Sequence, residues 1–498
     1  MASFPQPFIS STSHWQATNR GASSLYNHNK DTCPPSQADI LIIGGGMMGA
    51  ALSYFLTRKG AEGEGKRIIL LEAKDIGSGA SGRNGGHVGP ATSESYHSLM
   101  QPLPFGAGLT SPEAIHVIQA ERDNLELIAK IIHDEAITDK VDFWKGRLCE
   151  VHQSDEESAI YKARYLSWLA ARQSYGLGGN GDTFCYHADL KQVSRFKGTT
   201  SVQLRPGGSV HSHKLCTELT RLALNSTHSD YQVYTWTPVS SLTQTNGGWI
   251  AHTAKGKIHA TKAILCVNAY TKDFFGKEEL LHSHIKPHRS QIALITPPAT
   301  FSGERALRYT YNMQEDGYLM QTPMGGIVLG GGLTELVKEG KLSPSVSDSV
   351  DDSGTFKAWD EYLARYCPDN FEGWGPEGKG EGATRLWSGI LSAVKDKLPV
   401  VGAVPGKEGM YLAAGFHGHG MSRIFSTGRA LAAILQSGIY DEHLLPRSFE
   451  LTTERLERSR DASRVLVKEQ ASSMALLSEK PAKQDAKKKN FLSACVIA

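Results

Sequence analysis

A chain of 498 residues is too long for one small core and suits two interleaved domains or two to three sequential ones. With 40% hydrophobic residues, 21% charged residues and 51 glycines, its composition is globular and excludes a largely disordered or fibrous chain. Lys and Arg total 53 against 51 Asp and Glu, so a formal charge of +2 provides no broad footprint for nucleic acid or an anionic membrane.

The seven cysteines are widely spaced and form no C-x-x-C pair, a pattern that fits a reducing compartment and an expected cytoplasmic location. Residues 1–37 read as a polar leader without a secretion signal. No uninterrupted run of about 18 apolar residues occurs anywhere, so no membrane-spanning helix is expected.

In chain order, the first element is the β-branched run Ala38–Ile43, of the kind that forms a strand buried on both faces of a parallel sheet. From Met47 to Lys59, Ala51, Leu52, Phe55 and Leu56 recur at helical spacing, and Gly60 closes the segment. Lys66–Glu72 reads as a second strand and completes a βαβ unit. A long small-residue loop, Gly77 to His87, follows. Further on, the pattern predicts a helix over His213–Leu224 and strands at Gln232–Thr235, Ala263–Val267, Tyr318–Gln321 and Ile327–Gly330. A last helix-period stretch, Thr427–Leu435, follows a glycine-rich block, and from Pro446 the chain becomes a charged helical appendage with a flexible tail. No period of 20–50 residues marks a repeat architecture.

Gly44-Gly45-Gly46-Met47-Met48-Gly49 fits G-x-G-x-x-G. Gly44 makes the turn, Gly46 lets a pyrophosphate approach the backbone beside Met48, and Gly49 lets helix and strand pack closely. The helix N-terminus then faces the phosphates with free N–H groups. Glu72, at the end of the second strand, is placed to accept hydrogen bonds from ribose hydroxyls. In the loop that follows, Ser81, Arg83, Asn84, Gly85 and Gly86 can lie along an extended ligand, with Ser81, Arg83 and Asn84 available to phosphate and ring atoms. A simple nicotinamide fold does not need such a loop; the alternative is a surface linker. Gly415, Gly418, Gly420 and Met421 precede a helix whose N-terminus would stabilise negative charge on a flavin's N1–C2=O side. The rival reading of His417 and His419, with His211 and His213, as metal ligands lacks a neighbouring Cys or acidic cluster, and no metal is expected.

The run Ala38–Gly86 resembles the D-amino-acid-oxidase-like (DAO) superfamily of FAD enzymes, and Ser13-His14-Trp15-Gln16-Ala17-Thr18 with the G-A-S-G-R-N-G-G loop is most similar to its γ-glutamylputrescine oxidase branch. Ala263–Tyr270, Trp387-Ser388-Gly389, Asp396–Gly402 and Ala414–Met421 extend the likeness over roughly Ser13 to Leu435. The resemblance implies an α/β fold in which a Rossmann-type FAD-binding domain (38–95, 205–275 and 382–445) interleaves with a mixed-sheet substrate domain (96–204 and 276–381), followed by a tail over 446–498. It implies FAD as cofactor, a small amine or amino acid as substrate and O2 as acceptor, with transfer of a hydride equivalent from the carbon bearing the nitrogen. A dehydrogenase using another acceptor and a non-catalytic flavin-binding relative are the alternatives.

By the same resemblance His87 passes close to the isoalloxazine ring, as a flavin contact, an attachment point or a substrate-side group, against the reading of a structural histidine. Tyr318 is either a ligand-facing hydroxyl or a core tyrosine. Members of the superfamily that act on amino acids carry Arg-Pro shortly after W-x-G; here Leu391 and Ser392 stand there, which turns the expectation toward an amine, with Arg385 and Lys395 left to compensate. Finally, Cys495-Val496-Ile497-Ala498 fits a C-a-a-X prenylation box downstream of Lys487-Lys488-Lys489, to be weighed against a solubilising tail with an idle cysteine.

Overall fold

The computed structural model describes residues 9–22, 24–91, 93–178, 181–186, 193–313 and 317–478; Cys495 and its upstream lysines lie outside them. Strands are numbered along the chain, and they divide between two sheets.

The first sheet is built on β1 (Gln37–Ile43), which pairs in parallel with β10 (Gly256–Leu265) on one side and β2 (Arg67–Leu71) on the other. Beyond β2 lies β7 (Asp230–Tyr234), and beyond β10 lies β17 (Met410–Ala414), both parallel; β16 (Val400–Ala403) closes that edge antiparallel to β17. The hairpin β8 (Val239–Thr245) and β9 (Gly248–Thr253) attaches to β10. The apolar run of β1 needs cover on both faces and has it. Ile40 and Ile42 share a cluster with Ile68, Leu70, Val233 and the helices Met47–Leu56, Ser212–Leu224 and Gly420–Ser437. Leu41 and Ile43 face the opposite way, with Ile69, Leu71, Leu265 and Leu412. Close helix packing over the sheet depends on Gly428, where a Cβ would come within 3.3 Å of Ala51.

The second sheet has the order β15 (Gly382–Val394), β11 (Ile285–Thr296), β14 (Ile327–Gly330), β13 (Tyr318–Gln321), β12 (Thr310–Asn312), β4 (Trp144–His152), β6 (Ser201–Ser209) and β3 (His87–Val88), with β5 (Thr183–Tyr186) also on β6. It curls enough that His87 on β3 meets Tyr318 on β13, ring centroids 5.4 Å apart and perpendicular. One face packs Ala293, Leu319 and Leu329 against Trp359 and Leu363 of the helix Lys357–Asn370. On the other face Ile292, Met320, Val328 and Trp387 enclose Trp15.

Two stretches expected in the cofactor domain, Arg205–Ser209 and Gly382–Val394, are strands of this second sheet, because their backbone groups pair with β4 and β11. The leader is also more than polar chain. Ser13 caps a short helix, His14–Ala17, and Trp15 is 1% exposed, donating its indole N–H to Asn84 O at 2.6 Å. Among the described residues no helix is long and apolar enough to cross a membrane.

The charged C-terminal helix, Thr453–Ser478, docks through a buried ion pair. Arg455 meets Asp396 at 2.8 and 3.0 Å and also donates to Pro399 O and Leu398 O. Burial alone would raise the Asp396 carboxyl, but Arg455 and His284 hold it far below the ordinary carboxylate range. A carboxyl depressed in the folded state contributes stability above its unfolded value of about 3.9 and loses it as pH falls further. Asp396→Asn is expected to cost about 3–5 kcal/mol at pH 7 by orphaning Arg455. The gap from wild type should narrow progressively as pH falls from 4 to 2 and beyond, read by denaturant unfolding; a constant gap from pH 4 to pH 2 would remove the titration argument.

Candidate functional site

The carboxyl ends of the parallel strands β1, β2, β10 and β17 open into one cleft, where an open α/β sheet binds its ligands. About 1390 Å³ of space lies between its walls, including its open side.

Gly44, Gly46 and Met48 line the cleft at the end of β1. Gly44 has φ +109° and presses on the end of β10, where a Cβ would lie 2.6 Å from Cys266 O. A Cβ at Gly49 would come 2.0 Å from Gly44 O, so only glycine lets the helix start this close to the turn. Gly46 caps the helix Met47–Leu56 without a side chain, leaving the N–H groups of its first turn facing the cleft beside Ser81, whose Oγ accepts from Met47 N at 2.7 Å.

Glu72 lines the cleft at the end of β2, and its carboxylate also holds the turn itself, accepting from Gly45 N at 2.6 Å, Lys74 N at 2.9 Å and Ser78 Oγ at 3.2 Å. Burial raises its pKa, partly offset by those backbone bonds. In the loop beyond, Ser78, Ala80, Ser81 and Asn84 line the cleft. Asn84 accepts from Gly86 N at 2.9 Å and donates to Ser81 O at 3.2 Å.

Three expectations for this loop change. Arg83 turns away from the cleft: it is 2% exposed, donates to Ser78 O, Ser388 O and Ser11 O, and lies 3.4 Å from Asp352. A guanidinium this buried takes whatever carbonyls surround it, and here they belong to the protein. Gly85 and Gly86 also sit behind the cleft wall and lie flat on the second sheet. A Cβ at Gly85 would stand 2.3 Å from Tyr318, and one at Gly86 would stand 2.5 Å from Met320.

At the far end, Gly418, Gly420 and Met421 line the cleft where the helix Gly420–Ser437 begins, while Gly415 makes the bend at φ +77°. His417 and His419 stand in this turn rather than side by side on a strand, and His211 and His213 belong to the start of the helix Ser212–Leu224.

The turn is pinned by a residue that sequence reasoning gave no role. Asn268 Oδ1 accepts from Gly415 N at 3.0 Å, Phe416 N at 3.3 Å and Ser392 Oγ at 3.0 Å, with Asn268 itself at φ +46°. Its signal was available: a polar residue just past the end of β10, at the level of Gly44 and Glu72.

His87 is half-buried on β3. Burial, then the charge of Arg205, holds its pKa down to about 3, and its Nε2 has no partner among the described residues. It lies against Tyr318 rather than on the cleft wall. Arg385 is not brought to the cleft either. It is exposed on β15 and reaches Thr12 O at 3.4 Å, because its strand position points it toward the leader. Lys395 donates to Ser283 Oγ, also outside the cleft. Leu391 and Ser392 do line it, so the wall where superfamily members carry an arginine is apolar and hydroxylic.

A parallel sheet with a glycine turn at its switch point, an acidic residue at the end of the second strand and a second glycine turn opposite define a dinucleotide-binding flavoenzyme. Residues 39–434 match the family FAD dependent oxidoreductase (DAO), and the chain belongs to it: it is an FAD-dependent oxidoreductase. It is 23% identical over 403 residues to gamma-glutamylputrescine oxidoreductase of Escherichia coli, covering 80% of this chain and 83% of that one. Against glycine oxidase of Geobacillus kaustophilus the identity is 20% over 400 residues, 80% and 93% of the two chains. The crystal structure of glycine oxidase from Geobacillus kaustophilus aligns with a TM-score of 0.65 at 17% identity, covering 84% of this chain and 99% of that one. L-proline dehydrogenase from P. horikoshii aligns at 0.63 and 18%, covering 84% and 97%.

Gly46→Val places a branched side chain where a Cβ already stands 3.1 Å from Ser81 Oγ, in the space open to the phosphates. The variant is expected to purify as a folded, colourless apoprotein, checked by visible absorption beside far-UV circular dichroism. Glu72→Gln keeps the shape but removes the charge, and should weaken FAD retention by about 1–3 kcal/mol, measured by titrating apoprotein with FAD. Unchanged affinity would move the ribose contact elsewhere.

Proposed function

We propose that the chain oxidises a C–N bond in a small amine, with the residues of the cleft holding FAD along the first sheet. In this reading Gly44, Gly46 and the N–H groups after them take the pyrophosphate, Glu72 takes the ribose, and the start of the helix Gly420–Ser437 faces the ring. When bound, the cofactor supplies the two-electron acceptor for the hydride equivalent leaving the carbon. The nitrogen's proton passes to solvent, a C=N bond forms, and water then splits the imine into a carbonyl compound and an amine or ammonia. O2 takes up the two electrons and two protons as H2O2.

The observation that carries the choice of substrate is Leu391–Ser392 in the cleft wall. A carboxylate in a recessed site is best held by a bidentate arginine, and no arginine stands among the cleft-lining residues; Lys74, which does, lies beside Glu72 past the end of β2 and donates to Ser10 Oγ. An amine without an α-carboxylate makes no such demand. The protein's part is then to exclude water and hold the C–H over the ring with the amine deprotonated, which requires no strong acid or base. Two relatives, gamma-glutamylputrescine oxidoreductase and glycine oxidase, bracket by name the amine and amino-acid ends of this range.

The test is anaerobic bleaching of the flavin by polyamines, N-methyl amines and α-amino acids at matched concentration. Amines are expected to bleach it and α-amino acids to do so at least tenfold more slowly. In air, consumption of one O2 and appearance of one H2O2 per amine are expected; bleaching led by an α-amino acid, or electrons taken by dyes but not by O2, overturns the corresponding half of the reading.

A further inference from the structure

Glu72 has less to offer a ligand than its place in the cleft suggests. Its carboxylate already takes three hydrogen bonds from the protein itself: Gly45 N on Oε2, and Lys74 N and Ser78 Oγ on Oε1. A carboxylate accepts about four, so about one acceptor site remains. The adenosine ribose of FAD carries two neighbouring hydroxyls, and each needs an acceptor once the cleft has taken it out of water.

A second carboxylate reaches the same cleft from a distant part of the chain. Val350 and Asp352 line it from the stretch just before the helix Lys357–Asn370. Ser78 ties the two carboxylates to one place. Its Oγ donates to Glu72 at 3.2 Å, its carbonyl accepts from Arg83 Nε at 2.8 Å, and the same Nε lies 3.4 Å from Asp352 Oδ2. The backbone of Asp352 is pinned, since Asp352 O accepts from Ser11 N at 2.8 Å and from Ser11 Oγ at 2.7 Å, and Gly354 O accepts from Ser388 Oγ at 2.8 Å. The side chain is 8% exposed, and its enclosed Oδ1 has no hydrogen-bond partner among the described residues. Rotation about the last side-chain bond, a soft torsion in aspartate, presents either oxygen to the cleft.

Balancing the charge of Arg83 accounts for a carboxylate at this position but not for its empty acceptors. Arg83 directs its N–H groups at Ser78 O, Ser388 O, Ser11 O and Ser11 Oγ, and meets Asp352 through charge. A carboxylate oxygen held out of water without a donor is costly, and a ligand hydroxyl removes that cost. We propose that Asp352 accepts a hydrogen bond from one of the two adenosine ribose hydroxyls of bound FAD, Glu72 taking the other. The ribose is then read jointly by the end of β2 and by the chain leading into the helix Lys357–Asn370. The proposal rests on the assignment of the ribose to Glu72 above.

The experiment uses apoprotein of the full chain and three probes, ADP, 2′-deoxy-ADP and 3′-deoxy-ADP, with Kd values from calorimetric titration. Wild type is expected to bind each deoxynucleotide about tenfold more weakly than ADP, one hydrogen bond's worth apiece. In Asp352→Ala one of the two penalties should vanish while the other stays, and Asp352→Asn, which keeps an acceptor of the same shape, should restore most of the lost one. Far-UV circular dichroism reports whether each variant is folded. The wild-type titrations are decisive by themselves: with a single free acceptor on Glu72, only one deoxynucleotide would be penalised, and that result overturns the role of Asp352. Two penalties that both survive in Asp352→Ala overturn it as well. Equal Kd values for all three nucleotides in wild type instead overturn the assignment of the ribose to Glu72.

Discussion

The buried cation of Arg83 is the interaction on which the arrangement of this molecule turns. Taking a guanidinium out of water costs several kcal/mol unless its N–H groups find acceptors. Here the acceptors come from four separate places: Ser78 in its own loop, Ser11 in the leader, Ser388 on β15 and the carboxylate of Asp352. Moving any one of these segments leaves the charge short of a partner, so all four are held together. Because Ser81 and Asn84 sit on either side of Arg83 and face the cleft, the loop that touches the ligand space is aimed from behind.

Two further residues do on a smaller scale what Arg83 does globally. Glu72 accepts from the backbone of the first glycine turn, and Asn268 accepts from the backbone of the second. Both stand just past the ends of parallel strands, where chain direction places them at the mouth of the cleft. A glycine turn is permissive by nature, and permissive backbone binds poorly unless something holds it in one conformation. An oxygen acceptor at the root of each turn supplies that rigidity while leaving the outward N–H groups free.

Much of the first sheet and two strands of the second were legible because their signals are local. Tyr318–Gln321 and Ile327–Gly330 were read at their observed limits, and β1, β2 and the helix between them within a few residues, since buried β-branched runs and helical spacing repeat over short distances. Glycine spacing likewise located the two turns of the cleft. The role of Arg83 was not legible. An arginine beside paired glycines suits a phosphate as well as it suits three carbonyls, and only distant chain brings two of those carbonyls, from Ser11 and Ser388, to it. The same holds for Arg385, whose strand phase decides which way it points, and for Trp15, whose burial depends on residues hundreds of positions later. Leu391 is the instructive middle case: its departure from the superfamily pattern was visible, but its place in the cleft wall required the fold.

The leader's contacts also bear on when the molecule can be completed. Ser11 meets Ser388 across 377 residues and Asp352 across 341, while Arg455 secures β16 only after the helix that carries it exists. Contacts this long-range make a slow folder, and during synthesis the first twenty residues wait for nearly the whole chain. Until then Arg83 has no shell and the loop beside the cleft has no fixed shape. Ligand affinity should therefore arrive late and all at once, making cofactor capture the closing event of biogenesis rather than a scaffold for it.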